Sequence, residues 1–301
     1  MTAVFVEDGV DKGAIWHFGE PNKEQKALVA GTAWADLSHL NVIAVSGADR
    51  LKWLHDLTTQ HLSELGAGQW TSALILDAQG HVEYQFNLVD DGDTTWLVID
   101  PGYIDTLVAY LQKMKFMLRV DVRDASNEFA VLRAPGAETD LGGPFALVPR
   151  AELKEMQETF GATAMQVGTW ALDAMRVAAG RPRIAFETDH KSIPNELGVL
   201  NKSVHMNKGC YRGQETVAKI FNLGNPPRRL VLLHLDGSQV VMPAPGTPVM
   251  NGEIQVGFLG TVARHFELGP IALAIVKRTT PVDAQLTVEN VAASQQVIVP
   301  A

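Results

Sequence analysis

Cysteine is almost missing from this chain: there is one, Cys210, in 301 residues. A single thiol forms no internal disulfide, which suits a reducing compartment. Nor can it alone hold an iron–sulfur cluster, which usually takes four protein ligands. Long apolar runs are missing too. None reaches the roughly 18 residues a membrane span requires, so no membrane partner is expected. The stretch Met1–Asp11 is acidic and lacks a basic segment followed by an apolar core, so it does not read as a secretory signal and the expected location is cytoplasmic. Positive charge is in deficit: 25 Lys and Arg stand against 34 Asp and Glu, a formal net charge of −9. That balance argues against bulk nucleic-acid binding. The histidines show no His-Glu-x-x-His spacing and there is no cysteine pair, so no metal centre is expected. No phosphate-cradling loop, Gly-x-Ser-x-Gly elbow, internal repeat or low-complexity segment is present.

What is present is a globular composition, 46% hydrophobic and 20% charged, in a chain long enough for about two or three domains. Asn22-Lys23-Glu24-Gln25 reads as a capped helix start and Gly31 as its end. Val42–Val45 predicts a strand, Asp49–Leu57 a helix and Ala73–Leu76 a strand. Asp77-Ala78-Gln79-Gly80 predicts a hairpin turn. The strand after it alternates, with Val82, Tyr84, Phe86 and Leu88 on one face and His81, Glu83, Gln85 and Asn87 on the other. The polar row faces solvent or a polar cavity. Strand Thr94–Ile99, a helix through Ile104, Leu107, Val108 and Leu111, and strand Phe116–Val122 follow. Strands at Glu128–Arg133 and Phe145–Val148 precede helices at Pro149–Phe160 and Thr169–Ala179. From Arg228 onward, strands at Leu230–Leu235, Pro248–Met250, Gln255–Ala263, Ile271–Val276 and Val297–Val299 predict a small β-barrel. This mixed order with hairpins indicates an α+β fold.

Chemistry concentrates at Lys208-Gly209-Cys210-Tyr211-Arg212-Gly213-Gln214-Glu215. Lys208 and Arg212 bring cations to the thiol, and Glu215–Ile220 predicts a helix entered through Gly213, with Cys210 near its positive end. Both features favour a thiolate. The same residues also fit a small buried hydrophobe in a turn. Asn201–Arg229 carries six Lys or Arg and one acid, which suits either an anionic ligand tail or a solvated face. Arg176, Glu187-Thr188-Asp189 and Ile193-Pro194-Asn195-Glu196 form a polar, proline-punctuated region.

The eight-residue stretch resembles the signature of the folate-binding YgfZ family, relatives of the glycine-cleavage T-protein, a tetrahydrofolate-dependent aminomethyltransferase. Weaker matches run from about Asp36 to Lys277. The resemblance implies two intertwined α+β subdomains around a folate cavity (approximately 1–40 with 124–200, and 41–123 with 201–227) and a C-terminal barrel over 228–301. It implies tetrahydrofolate or a one-carbon derivative as cofactor, and iron–sulfur client or assembly proteins as partners. Cys210 is the implied reactive residue. Glu196 lies where a family carboxylate takes paired hydrogen bonds from the pterin edge, and bonds to a charged acceptor are worth about 1.5–3 kcal/mol each. Arg176, Lys208, Tyr211, Arg212, Gln214, Glu215 and Arg229 complete the implied binding set; Arg228 and Arg229 stand where T-protein relatives place an arginine near folate. Leu268–Ala274 resembles a fold-shaping segment of the late barrel. One departure is large. T-protein relatives carry paired aspartates just after the hairpin turn, and here Tyr84 and Gln85 stand there, with Glu83 one residue early and so on the opposite strand face. A folate-binding protein with a role in iron–sulfur enzyme assembly or repair is therefore expected, with a T-protein-type aminomethyltransferase or demethylase as the alternative and a folate-free thiol-redox protein third.

Overall fold

A computed structural model describes residues 2–224, 226–238 and 242–300. The chain sorts into two compact units. The first comprises Met1–Ile75, Tyr84–Leu172 and Lys202–Arg212; the second comprises Leu76–Glu83, Asp173–Asn201 and Gly213–Ala301.

The first unit opens with an antiparallel pair, β1 (Val4–Phe5) and β2 (Ile15–His17), followed by helix α1 (Pro21–Val29). Asn22 is not the cap of that helix. Proline, which has no N–H to leave unpaired, occupies its first turn instead, and Glu24 turns inward to accept the Phe18 and Gly168 N–H groups at 2.8 and 2.9 Å. Strand β3 (Ala33–Asp36) precedes β4 (Asn41–Ser46), helix α2 (Arg50–Leu57), β5 (Trp70–Leu76), β6 (Val82–Asp90), β7 (Thr94–Ile99), helix α3 (Ile104–Met114) and β8 (Asp121–Asp124). The last five strands form one sheet in the order β5-β6-β7-β4-β8. Its core face carries Ile43, Val45, Ile75, Phe86, Leu88, Leu97 and Ile99, covered by Trp53 and Leu54 of α2 and Leu107 and Leu111 of α3. Burying each such side chain contributes about 1.5–3 kcal/mol. The apolar row of β6 packs as its alternation requires, while His81, Glu83, Gln85 and Asn87 are all half-buried. The strand expected from Phe116 begins only at Asp121. Phe116, Met117 and Leu118 form an exposed tip, because an apolar run without alternation does not distinguish a strand from a turn.

A four-stranded sheet, β10-β9-β3-β11, combines β3 with β9 (Phe129–Arg133), β10 (Phe145–Pro149) and β11 (Met165–Val167). Only β3 and β11 pair in parallel. Helix α4 (Leu153–Gly161) packs on it, burying Trp34, Leu132 and Val148. Pro149 ends a strand and does not open α4. Helix α5 (Thr169–Ala178) leads into the second unit.

In the second unit a short helix α6 (Ile184–Glu187) and a 3-10 turn at Pro194–Glu196 precede helix α7 (Gln214–Leu223). A closed barrel follows, built from β12 (Arg228–Leu235), β13 (Pro248–Asn251), β14 (Ile254–His265), β15 (Gly269–Lys277), β16 (Leu286–Val288) and β17 (Val291–Val297) in the order β12-β15-β14-β13-β16-β17. Val231, Leu233, Val249, Leu259, Ala274, Leu286 and Ala293 fill it. The final strand lies earlier than the expected Val297–Val299, since Ala-Ala-Ser-Gln-Gln carries no β-branched signal. Strand β16 is too short for its sequence to announce it.

Candidate functional site

Two carboxylates of the second unit converge on one guanidinium. Arg228, at the start of β12, donates from Nε to Glu196 Oε1 at 3.0 Å and from Nη2 to Glu196 Oε2 at 2.8 Å. It also donates from Nη1 to Asp189 Oδ2 at 2.6 Å and from Nη2 to Asp189 Oδ1 at 3.0 Å. Burial works against the Arg228 charge, but the two carboxylates hold its pKa above the ordinary arginine value. Burial would likewise raise Asp189, yet bonds from Arg228, the Lys191 N–H and Ser192 Oγ hold it far below the usual carboxylate range. Glu196 is 1% exposed and also accepts the Ile193 N–H. Its neighbour Asn195 ties the turn to α7 by donating to the Val217 carbonyl at 3.2 Å.

A second buried pair supports the first from behind α6. Glu187 has no exposure; it accepts Arg176 Nη1 at 3.0 Å, the Arg183 N–H at 2.7 Å and the Thr261 N–H of β14 at 2.6 Å. Arg176 further bonds Asp173, the Arg181 carbonyl and Thr261 Oγ1. Burial opposes its charge, and Glu187 and Asp173 more than compensate, raising its pKa. Gly260 is required here, because a Cβ would stand 2.6 Å from Glu187 Oε1.

Beside these pairs lies a cavity of about 350 Å³ lined by Ala185, Phe186, Thr188, Asp189, Pro245, Gly246 and Phe258. Apolar and aromatic walls with one carboxylate suit a flat ring bearing N–H donors. Asp189 is the acceptor that faces it, and Arg228 links Asp189 to Glu196. Arg229 does not join them. Successive strand residues point to opposite faces, and Arg229 turns inward to the Thr280 carbonyl and Gln295 Oε1, both at 2.9 Å. Sequence reasoning places Glu187 and Asp189 in the polar region without giving either a role, and misses Ser192 and Thr261; the Asp-x-x-Ser spacing of 189 and 192 is the available signal for the first turn.

The signature divides at Gly213. Its first half belongs to the first unit. Lys208 is 7% exposed, and its ammonium caps the end of α2 by donating to the carbonyls of His55, Thr58 (2.5 Å) and Gln60 (3.2 Å). Burial pushes it down to about 8, against the pull of the Asp56 charge. The Tyr211 ring lies 5.2 Å from the same ammonium, and burial pushes its hydroxyl up to about 12. Cys210 is exposed between these two buried anchors. It is not a core residue, and the Lys208 charge is directed to the α2 carbonyls. Arg212 and Glu215 are exposed and Gln214 is half-buried.

The second half opens α7. Gly213 has φ +80°, and a Cβ there would meet the Asp77 carbonyl oxygen at 2.6 Å and Gly80 Cα at 2.8 Å. The hairpin turn thus rests directly on the start of α7. Asp77 orders that turn by accepting the Gln79 and His81 N–H groups and bonding His81 Nδ1, each at 2.8 Å. Gly213→Ala is expected to destabilise the protein by at least about 2 kcal/mol, combining a left-handed backbone with a clash against main-chain atoms. Gly209 is the control, since a Cβ added there would meet nothing within 4 Å. Equal thermal midpoints for Gly213→Ala and Gly209→Ala would refute this reading.

At the positions of the T-protein acid pair, Tyr84 stacks with Tyr103 and Tyr110 at centroid distances of 6.5 and 6.1 Å, and Gln85 is half-buried. Neither is an acid. Among the described residues, no group of three or more His, Cys, Asp or Glu is arranged to hold a metal ion.

Residues 3–140 match the family described as the GCVT N-terminal domain. A mitochondrial iron–sulfur cluster assembly factor IBA57 homolog of Mycosarcoma maydis is 24% identical over 72% of this chain; the chain spans 61% of that protein's length. The tRNA-modifying protein YgfZ of Cronobacter sakazakii is 26% identical over 69% of this chain and 73% of its own. Among solved structures, the glycine cleavage system aminomethyltransferase T from Bartonella henselae superposes with a TM-score of 0.81 over 98% of this chain and 92% of that one, at 16% identity. That likeness establishes the T-protein fold.

Proposed function

Because this chain is a relative of the YgfZ and T-protein group, we propose that it is a tetrahydrofolate-binding protein that acts through Cys210 in the assembly or repair of iron–sulfur enzymes. The observation that carries the reading is the Asp189–Arg228–Glu196 triad beside an aromatic-walled cavity. Phe186, Phe258 and Asp189 would hold the pterin ring, with Asp189 taking its N–H edge and Glu196 steadying Asp189 through Arg228. Bound folate would supply one-carbon chemistry; the chain's own part is to bind and orient the ring and to present the thiol. The name of the IBA57 relative supports the iron–sulfur role. With Tyr84 and Gln85 in place of the acid pair, aminomethyl transfer to folate is not part of this reading.

Isothermal calorimetry with tetrahydrofolate tests it. Binding is expected; Asp189→Ala is expected to weaken it by about 2 kcal/mol, the worth of a hydrogen bond to a charged acceptor, and Glu196→Ala, which leaves Arg228 without its buried partner, is expected to weaken it as well. No heat and no thermal shift at millimolar ligand would sink the proposal. Binding that both variants retain would place the ring elsewhere.

A further inference from the structure

Helix α3 runs out into Lys113-Met114-Lys115-Phe116-Met117-Leu118-Arg119. Phe116 is 81% exposed, Met117 99% and Leu118 45%. Single exposed apolar residues are ordinary on a protein surface, but three large ones in succession at a tip mark an interaction site.

The tip is a fixed structure. Phe116 has φ +45°, which an aromatic residue adopts only when its surroundings impose it. The surroundings do so from both sides. Trp53 Nε1 donates to the Met114 carbonyl at 3.1 Å. Arg119 is held by Asp49 through Nη2 at 2.7 Å, Nε at 3.1 Å and its own N–H at 2.9 Å. Gly47 permits the return, since a Cβ there would stand 2.1 Å from the Arg119 carbonyl oxygen. Within the tip, the Leu118 N–H donates to the Lys115 carbonyl and the Val120 N–H to the Leu118 carbonyl, both at 2.9 Å.

Charge surrounds the apolar residues. Lys113 is exposed, Lys115 is half-buried and Arg119 is exposed but paired with Asp49, and no acid occurs in the sequence between Asp105 and Asp121.

We propose that the Phe116–Leu118 tip inserts into the surface of an anionic lipid bilayer. Three observations favour lipid over a protein socket. The tip is convex and needs no matched cavity. Its Leu118 and Val120 N–H groups are satisfied within the tip, which lowers the cost of entry into an apolar medium. Its cations stand beside the apolar residues, where they meet headgroups while the three side chains reach past them. The acidic remainder of the chain opposes approach only within about 8 Å at physiological ionic strength. The absence of a span-length apolar run does not bear on such a site, because three residues dip into a surface without crossing it.

The test is cosedimentation of the full chain with vesicles of phosphatidylcholine containing one-third phosphatidylglycerol, at low and physiological salt, with pure phosphatidylcholine vesicles in parallel. Binding to the anionic vesicles is expected, weakening as salt rises. The pair Phe116→Ser with Met117→Ser should abolish it. The pair Lys113→Glu with Lys115→Glu should weaken it by at least roughly thirtyfold, the worth of two cations at an anionic surface. Both variants should keep the parent's thermal midpoint, since these side chains are at the surface. No cosedimentation at millimolar lipid would overturn the proposal and leave the tip to a protein partner. Binding that survives both double variants would overturn it as well.

Discussion

Arg176→Leu is expected to cost the second unit about 3–5 kcal/mol, because it strands a carboxylate that has no access to water. Glu187 would keep the Arg183 and Thr261 N–H groups, which orient it but bring no full charge. Glu187→Leu should cost a comparable amount, leaving Arg176 with Asp173 as its carboxylate beside two neutral acceptors, the Arg181 carbonyl and Thr261 Oγ1. The double variant should cost clearly less than the two single losses added, since the partners fail together. The probe matters. All six tryptophans lie in the first unit, so their fluorescence can report an intact sheet while the barrel loosens. Amide exchange along β12, β14 and β15 is the appropriate measurement. A loss under about 1 kcal/mol, the scale of an exposed ion pair, would show that Glu187 finds water or a proton when Arg176 is removed.

Cys210→Ser is expected to abolish the protein's function in cells while changing stability by less than about 0.5 kcal/mol. The thiol is exposed, and the residues on either side are held by contacts of their own: Lys208 by three carbonyls, Tyr211 by burial over that ammonium. Serine fits the same place, so only the chemistry of sulfur is lost. Complementation of a strain lacking the protein, read beside thermal melting of the purified variant, separates the two roles. A serine variant that complements fully would remove Cys210 from the mechanism and leave the folate proposal standing alone.

The parts of the fold that are legible in the sequence are those where one local pattern decides the outcome. Alternation along Val82–Leu88 places β6 with its core face correctly, Gly213 announces α7, and the Gly- and Pro-broken strands after Arg228 announce the barrel. Where two patterns compete, local reading fails. Phe116-Met117-Leu118 is as apolar as a strand, yet no neighbour is there to bury it. Asn22 looks like a cap, but Pro21 fixes the helix start two residues earlier, with Glu20 in the cap position.

The site is legible only in pieces. Resemblance points to Glu196 and to the signature, but the partner of Glu196 sits 32 residues on, and sequence does not choose between two adjacent arginines. Glu187 is visible in the polar region but its role is not, because the N–H that meets it belongs to Thr261, 74 residues later. A lone acid in a loop looks the same in sequence whether solvated or buried.

That arginine doublet bears on how the barrel finds its alignment. Arg228 meets Asp189 and Glu196 on one side of β12, and Arg229 meets Thr280 and Gln295 on the other. Sliding β12 by one residue toward either end would put Leu230 or Pro227 where a guanidinium belongs. One direction empties the inner position, and the other leaves two carboxylates facing a proline. The hydrophobic residues of β12 are nearly interchangeable, Leu-Val-Leu-Leu, and would tolerate the shift poorly but not forbid it. The doublet penalises a one-residue misthreading in either direction, at one surface of the strand or the other, so it works as a two-sided alignment key for a strand whose other residues discriminate weakly between one setting and the next.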